Sequence, residues 1–256
     1  MAVDAALLIR ARPYAGLVVA TVLAQIAYPL TSVEVRPDLT VVIVLLGAAA
    51  SVVHAAVTRG GGVAVVVAAT TIVGGFLIEM VGVHTGVPFG SYRYTSALGA
   101  AMWGVPLAIG PAWAMLAWPA ALAARRLCRS FPARVALGAW ALASWDVFLD
   151  PQMVAAGNWH WLAPDPHLPG VPAVPLTNYL GWLLSSAAMS FVLQRAADVR
   201  SAAADDGWPL AFYAWTWASS TLALAAFLHL GAAAAWGFVA MGVVAVPVAR
   251  TLAGRR

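Results

Sequence analysis

Glu79, His84, Tyr92, Arg93 and Tyr94 fall within the single stretch E-M-V-G-V-H-T-G-V-P-F-G-S-Y-R-Y, in a chain of 256 residues of which 9% are charged. Glu79 sits in the apolar run Ile72 to Val83. An ionised carboxylate there is expensive, so the group must find a partner or keep its proton. The first case is a structural ion pair with Arg93; the second is a general acid. A second acidic pair, Asp146 and Asp150, is spaced i, i+4, which projects both carboxyls from one face of a helix about one turn apart. Asp146 lies between Trp145 and Val147 in apolar sequence, whereas Asp150 immediately precedes Pro151 at what reads as a helix end. If Ser91 to Tyr94 is extended, Tyr92 and Tyr94 face one side and Arg93 the other. The tyrosines also fit an interfacial aromatic belt, as do most of the 12 tryptophans. His84 is read either as a proton shuttle or as a helix-capping group, and His54 and His229 as structural. Histidine and carboxylate spacing matches no metal-ligand signature, so no metal site is expected.

These groups need elements to hold them, and composition says which. At 62% hydrophobic the chain is far more apolar than a soluble domain, whose apolar share is about 45 to 50%. It reads as an all-α, polytopic integral membrane helix bundle, a single transmembrane domain over residues 1–256. All 14 basic residues are arginine, which excludes a retinal Schiff base, a pyridoxal phosphate enzyme and any lysine nucleophile. The net charge of +4 is carried by arginines dispersed at span ends, which points to membrane topology rather than nucleic acid. Cys128 is alone, so neither an internal disulfide nor a cysteine metal site is expected.

A run of about 20 apolar residues crosses a bilayer core. Such runs are Pro13 to Leu30, Leu39 to Val57 with Asp38 as N-cap, Val63 to Val81, and Ala97 to Leu122, the last interrupted by Pro106, Pro111 and Pro119. A fifth starts at Pro132 and ends at Asp150, before the proline-rich structured loop Gln152 to Val174 that carries Trp159 and Trp161. Pro175 to Gln194, Trp208 to His229 and Ala232 to Arg250 follow. The last two could form a re-entrant pair, so the expectation is seven or eight transmembrane helices. With the N-terminus inside, Arg10, Arg12, Arg59, Arg125, Arg126, Arg129, Arg134, Arg195, Arg200, Arg250, Arg255 and Arg256 lie on the cytoplasmic side, against Arg36 and Arg93 outside. Both termini are therefore predicted cytoplasmic. That topology brings Glu79, the Gly82 to Ser96 loop, Asp146 and Asp150 to one depth near the outer face.

The set Glu79-x-x-Gly-Val-x-Thr-Gly-x-Pro-Phe-Gly-x-Tyr-x-Tyr, Gly104-Val-Pro-Leu, Pro111-x-Trp113, Asp146-x-x-x-Asp150-Pro151 and Gly157-x-Trp159-x-Trp161 resembles the carotenoid biosynthesis membrane proteins, which include the carotenoid 1,2-hydratases of the bisanhydrobacterioruberin hydratase kind. The resemblance covers residues 72–182. It implies a multi-pass enzyme of a bacterial or archaeal plasma membrane, with membrane lipid and a hydrophobic carotenoid as partners and possible association with other carotenoid enzymes. It sets no oligomeric state. Such hydratases add water across the terminal double bond of an acyclic ψ end group, with no redox cofactor. The resemblance implies catalytic roles for Glu79, Asp146 and Asp150, and substrate contact for Arg93, Tyr92, Tyr94, His84, Trp145, Trp159 and Trp161. Competing readings are a lycopene-cyclase-like enzyme, which needs protonation without water; a polyisoprenoid-modifying enzyme such as a prenyltransferase, which needs more carboxylates than the spans contain; and a proton-coupled transporter.

Overall fold

The computed structural model describes residues 12–199 and 205–254. Arg10, Arg200, Arg255 and Arg256, which the topology argument used, lie outside the described residues. The described chain forms eight long helices. They are α1 (Pro13–Leu30, its last turn 3-10), α2 (Arg36–Arg59), α3 (Gly61–Thr85), α4 (Ile109–Leu127), α5 (Phe131–Ala155), α6 (Leu176–Ala197), α7 (Gly207–Phe227) and α8 (Gly231–Ala253). Both α3 and α7 contain a π-helical stretch, at Ala69–Val73 and Ala223–Phe227.

Six of the helices are long and apolar enough to cross a membrane; α4 and α5 are not among them. Their position explains this. Helix α4 packs against α2, α3, α5, α6, α7 and α8, and every residue from Trp113 to Ala124 is buried. A helix enclosed by protein has no lipid-facing stripe to fill with Leu and Val, so alanine, tryptophan and proline satisfy it. Helix α5 carries Asp146 and Asp150, which lower its hydropathy but turn toward other helices rather than lipid. The core of the bundle is thus the pair of helices that hydropathy reads least well.

Several boundaries move relative to the sequence reading. The fourth helix begins at Ile109, not Ala97: Pro106 lies in a short strand, Pro111 in the first turn, and Pro119 inside the helix. Residues 96–106 instead form a 3-10 turn (Ser96–Leu98) and a hairpin. Helix α5 runs through Pro151 to Ala155, and its N-terminus is capped by Ser130, which accepts from the Ala133 N–H with Pro132 in the first turn. Pro151 removes one N–H late in a long helix without stopping it. Asp38 lies in the first turn of α2 after the cap residue Val35, where a carboxylate still favours the helix N-terminus.

Outside the helices the described residues form six short strands, β1 (Tyr92–Tyr94), β2 (Ala101–Met102), β3 (Val105–Pro106), β4 (Trp159–Trp161), β5 (His167–Leu168) and β6 (Val171–Pro175). The β1–β4 pair matters most, because it joins the α3–α4 loop to the α5–α6 loop. It is antiparallel, with Tyr92 opposite Trp161, Arg93 opposite His160 and Tyr94 opposite Trp159. At the other end of the bundle, Arg59 bonds Asp206 through two hydrogen bonds of 2.9 and 2.8 Å. His54 is buried there, accepting from Trp118 Nε1 at 3.0 Å and lying 3.1 Å from the Asp205 carbonyl, which makes it structural. Hydrogen bonds from Arg125 and Arg134 hold the Asp198 carboxyl below its usual range.

Candidate functional site

Helix α3 presents Gly75, Glu79 and Gly82 inward, spaced i, i+4, i+7 along one stripe. The glycines let aromatic side chains reach the backbone. A Cβ on Gly75 would lie 2.7 Å from the Trp113 ring, and one on Gly82 would lie 2.7 Å from Tyr92 Oη and 2.8 Å from Phe89. Between them, Glu79 is 4% exposed and takes three hydrogen bonds. Tyr92 Oη donates to Oε2 at 2.5 Å, Tyr94 Oη donates to Oε2 at 2.8 Å, and Trp113 Nε1 donates to Oε1 at 3.2 Å.

The strand alternation places Tyr92 and Tyr94 toward Glu79 and leaves Arg93 exposed on the outer side of the ribbon, opposite the likewise exposed His160. The ion pair between Glu79 and Arg93 is therefore corrected: among the described residues Glu79 has no cationic partner, and period-2 geometry carries the guanidinium away from it. His84 is also exposed, with Nδ1 2.8 Å from the Met80 carbonyl one turn back. It caps the end of α3 and does not line the site.

Helix α5 supplies the second acidic group. Asp146 and Asp150 are 0% and 3% exposed. Both point their Oδ2 atoms at the side-chain nitrogen of Asn178, near the start of α6; the bond to Asp146 is 2.7 Å, and the Asp150–Asn178 bond is the second. Trp159 Nε1 donates to Asp150 Oδ1 at 3.0 Å. Asp146 Oδ1 has no hydrogen-bond partner. Among the described residues no group of three His, Cys, Asp or Glu side chains could hold a metal ion.

Glu79 and Asp150 line one cavity, together with Tyr92, Tyr94, Trp159, Trp161, Asn178, Trp113 and Trp182. Its aromatic walls are interlocked. Trp113 stacks on Trp182 at 3.9 Å between ring centroids, while the cross-strand pairs Tyr92–Trp161 and Tyr94–Trp159 lie at 5.6 and 5.4 Å. Trp161 is fixed by donating to the Phe89 carbonyl at 3.0 Å. Asp146 stands behind Asp150, outside the lining, and reaches the cavity through Asn178. Trp145 is buried but lines the adjoining cavity, meeting Trp182 edge-on at 6.1 Å.

The site residues expected from sequence thus separate into two groups. Glu79, Tyr92, Tyr94, Asp150, Trp159 and Trp161 converge on the cavity, and Asp146 and Trp145 support it from behind; Arg93 and His84 face away. Asn178, Trp113, Trp182 and Phe89 were not expected. For Asn178 the signal was available: an amide in an apolar span is costly unless it is paired, and two unpaired carboxylates one turn apart were waiting for a donor.

The chemistry is set by which partners can accept a proton. Indole N–H and amide N–H groups donate only, whereas a phenol oxygen donates and accepts. Both oxygens of Asp150 face N–H donors, which suits a carboxylate. Glu79 Oε2 faces two phenols, so it can carry a proton and hand it on by rotating a hydroxyl. Among the described residues no arginine or histidine lines the cavity.

No curated protein and no solved structure matches this chain. The family described as "Carotenoid biosynthesis protein" matches residues 39–248, which takes in seven of the eight helices and every residue of the cavity. With that match across most of its length, this chain belongs to the carotenoid biosynthesis protein family.

Proposed function

We propose that the protein is a carotenoid hydratase that adds water to the terminal double bond of an acyclic ψ end group by acid catalysis, without a redox cofactor. The observation that carries this reading is the aromatic cavity bearing two carboxyl groups from different helices and no cation. Hydration of an isopropylidene end begins with a proton delivered to the less substituted alkene carbon. Glu79 Oε2, relayed through Tyr92 or Tyr94, is the donor. The alkene π pair forms the new C–H bond and leaves a tertiary cation. Faces of Tyr92, Tyr94, Trp159 and Trp161 stabilise that charge, each such contact being worth roughly 2 kcal/mol when desolvated. A water held by Asp150 attacks the cation through its oxygen lone pair. Asp150 takes the released proton, and return of that proton to Glu79 restores the site. Asp146 and Asn178 hold Asp150 in place.

The protein is further proposed to sit in the plasma membrane with both termini cytoplasmic and the cavity near the outer face, in contact with lipid and assembled with other carotenoid enzymes. Arg36 and Arg93 lie at the cavity end of the bundle, and Arg59, Arg125 and Arg134 at the other.

The reaction is tested by expression in lycopene-accumulating bacteria. Pigment should gain the mass of one water. Glu79→Gln and Asp150→Asn should abolish conversion at unchanged protein level, while Arg93→Ala retains it. A ring-bearing product of unchanged mass would assign a cyclase instead, and unaltered pigment would remove the enzyme reading.

A further inference from the structure

The acid cavity is not isolated. Thr40 and Val44 of α2 and Leu149 and Met153 of α5 line both it and a second cavity. That cavity in turn shares Gln25, Pro29, Ser219 and Ala223 with a third, between α1 and α7. The third is bounded by Leu30 and Leu222, which are 67% and 60% exposed on the outside of the bundle. Three cavities therefore run in series from Glu79 and Asp150 to the lipid-facing surface.

We propose that this series is a lateral channel that holds an uncharged linear polyene, its terminal double bond at the acid site and its chain emerging into the bilayer between α1 and α7. The inference rests on the hydratase reading only for which end of the polyene points inward. Four observations support it. First, among the described residues no Asp, Glu, Arg or His lines the second or third cavity, so a diphosphate or a charged headgroup finds no counter-ion there. Second, the hydroxyls of Thr40 and Thr216 are satisfied by the carbonyls of Arg36 and Phe212 in their own helices. Third, both helices leave α geometry at the exit, α1 in the 3-10 turn Tyr28–Leu30 and α7 in the π turn Ala223–Phe227; π turns in helices occur frequently at functional sites. Fourth, Trp215 Nε1 donates to Gln25 Oε1 at 3.0 Å, pinning α1 to α7 beside the opening so that the gap has a fixed edge. Crossing two helix–helix spacings gives a path on the order of 20 Å, which accepts part of a long polyene and leaves the rest in lipid.

The test uses the full chain, purified into phosphatidylcholine nanodiscs, with lycopene as the probe and binding read by its induced circular dichroism. Ser219→Phe and Ala223→Phe put a ring into the narrow junction and should weaken binding roughly tenfold or more. Val19→Phe, in a separate surface groove between the same two helices, should stay within about twofold. A small reporter avoids any question of folding: Ser220→Cys, in a Cys128→Ser background, lines the second cavity. Lycopene should slow its alkylation by N-ethylmaleimide at least fivefold over empty nanodiscs. Wild-type binding by both phenylalanine variants, or unslowed alkylation, overturns the channel. So does equal protection by nanodisc lipid alone, which would assign the space to acyl chains. The two proposals fail separately. Lycopene bound in the channel with no water added keeps the channel and removes the reaction, whereas hydration with unimpaired binding in the blocked variants does the reverse.

Discussion

Asn178→Leu is the substitution that most directly tests how the acidic pair is held. The Asn178 side-chain nitrogen bonds Asp146 Oδ2 at 2.7 Å and also meets Asp150 Oδ2, while Asp150 keeps a second donor in Trp159 and Asp146 has none, its Oδ1 being unpartnered. Leucine keeps the branched shape of asparagine with methyl groups in place of the amide oxygen and nitrogen, so the principal loss is that of the donor. A hydrogen bond to a charged group contributes about 1.5 to 3 kcal/mol, and orphaning a buried acceptor costs the upper part of that range. We expect about 3 kcal/mol of destabilisation, seen as a lowered thermal transition in detergent. Hydration should fall on the order of 100-fold, since each 1.36 kcal/mol of transition-state stabilisation is a factor of ten. The double variant Asp146→Leu/Asn178→Leu separates the two effects. Replacing both partners by apolar groups removes the orphan, so the transition temperature should recover much of the loss. Activity should not recover, because Asp150 still lacks the amide that orients it. A single Asn178→Leu variant that melts and converts lycopene like the wild type would refute the claim that this amide holds the pair. Recovery of activity in the double variant would show that Asn178 acts only through stability.

Two further substitutions probe the rest of the structure. Gly82→Ala sets a methyl 2.7 Å from Tyr92 Oη and 2.8 Å from Phe89, which should push the phenol off Glu79 and lower conversion about tenfold; adding Tyr92→Phe, which removes the clashing oxygen, should raise the melting temperature of Gly82→Ala without restoring conversion. Arg59→Ala removes two bonds to Asp206 and the guanidinium over the Trp118 ring at 5.1 Å, so stability should drop about 3 kcal/mol while conversion per folded molecule is unchanged; a selective loss of conversion would connect that distant end to the site.

The helices were legible where they face outward and blurred where they face protein. Spans such as α2 and α8 are apolar on the outside and carry an arginine in the last turn, so period and length locate them to within a few residues. Proline was the misleading signal. It reads as a terminator, yet Pro119 and Pro151 both lie inside helices, where the neighbouring helices hold the chain in place. The site shows the same division. Glu79 and the Asp146, Asp150 pair stood out because charge is costly in an apolar run. The alternation of Tyr92, Arg93 and Tyr94 followed from strand geometry. What single residues do not encode is partnership between distant segments: that β1 pairs with β4, setting Tyr94 edge-on to Trp159, or that Asn178 serves both aspartates from the next helix. Arg93 shows the cost of that gap, since proximity in sequence suggested an ion pair that the pleat forbids.

The outward turn of Arg93 has a chemical consequence. Every donor to the cavity carboxyls is neutral: two phenols, two indoles and an amide. Such donors fix a carboxyl's orientation without cancelling its charge. A guanidinium in the same place would neutralise Glu79 and set a fixed positive charge against any cation formed in the cavity, a repulsion that a low-dielectric interior makes large. The cavity therefore discriminates by sign. It is built to accept a positive centre between π-faces and carboxylates and offers nothing to an anionic transition state such as a transferring phosphoryl group, whose charge is met by cations and metal ions. Protonation of an alkene is the kind of step that such a lining favours, and the pairing of β1 with β4 is what sets it, because one strand slipped by a single residue would turn Arg93 inward and Tyr92 and Tyr94 out.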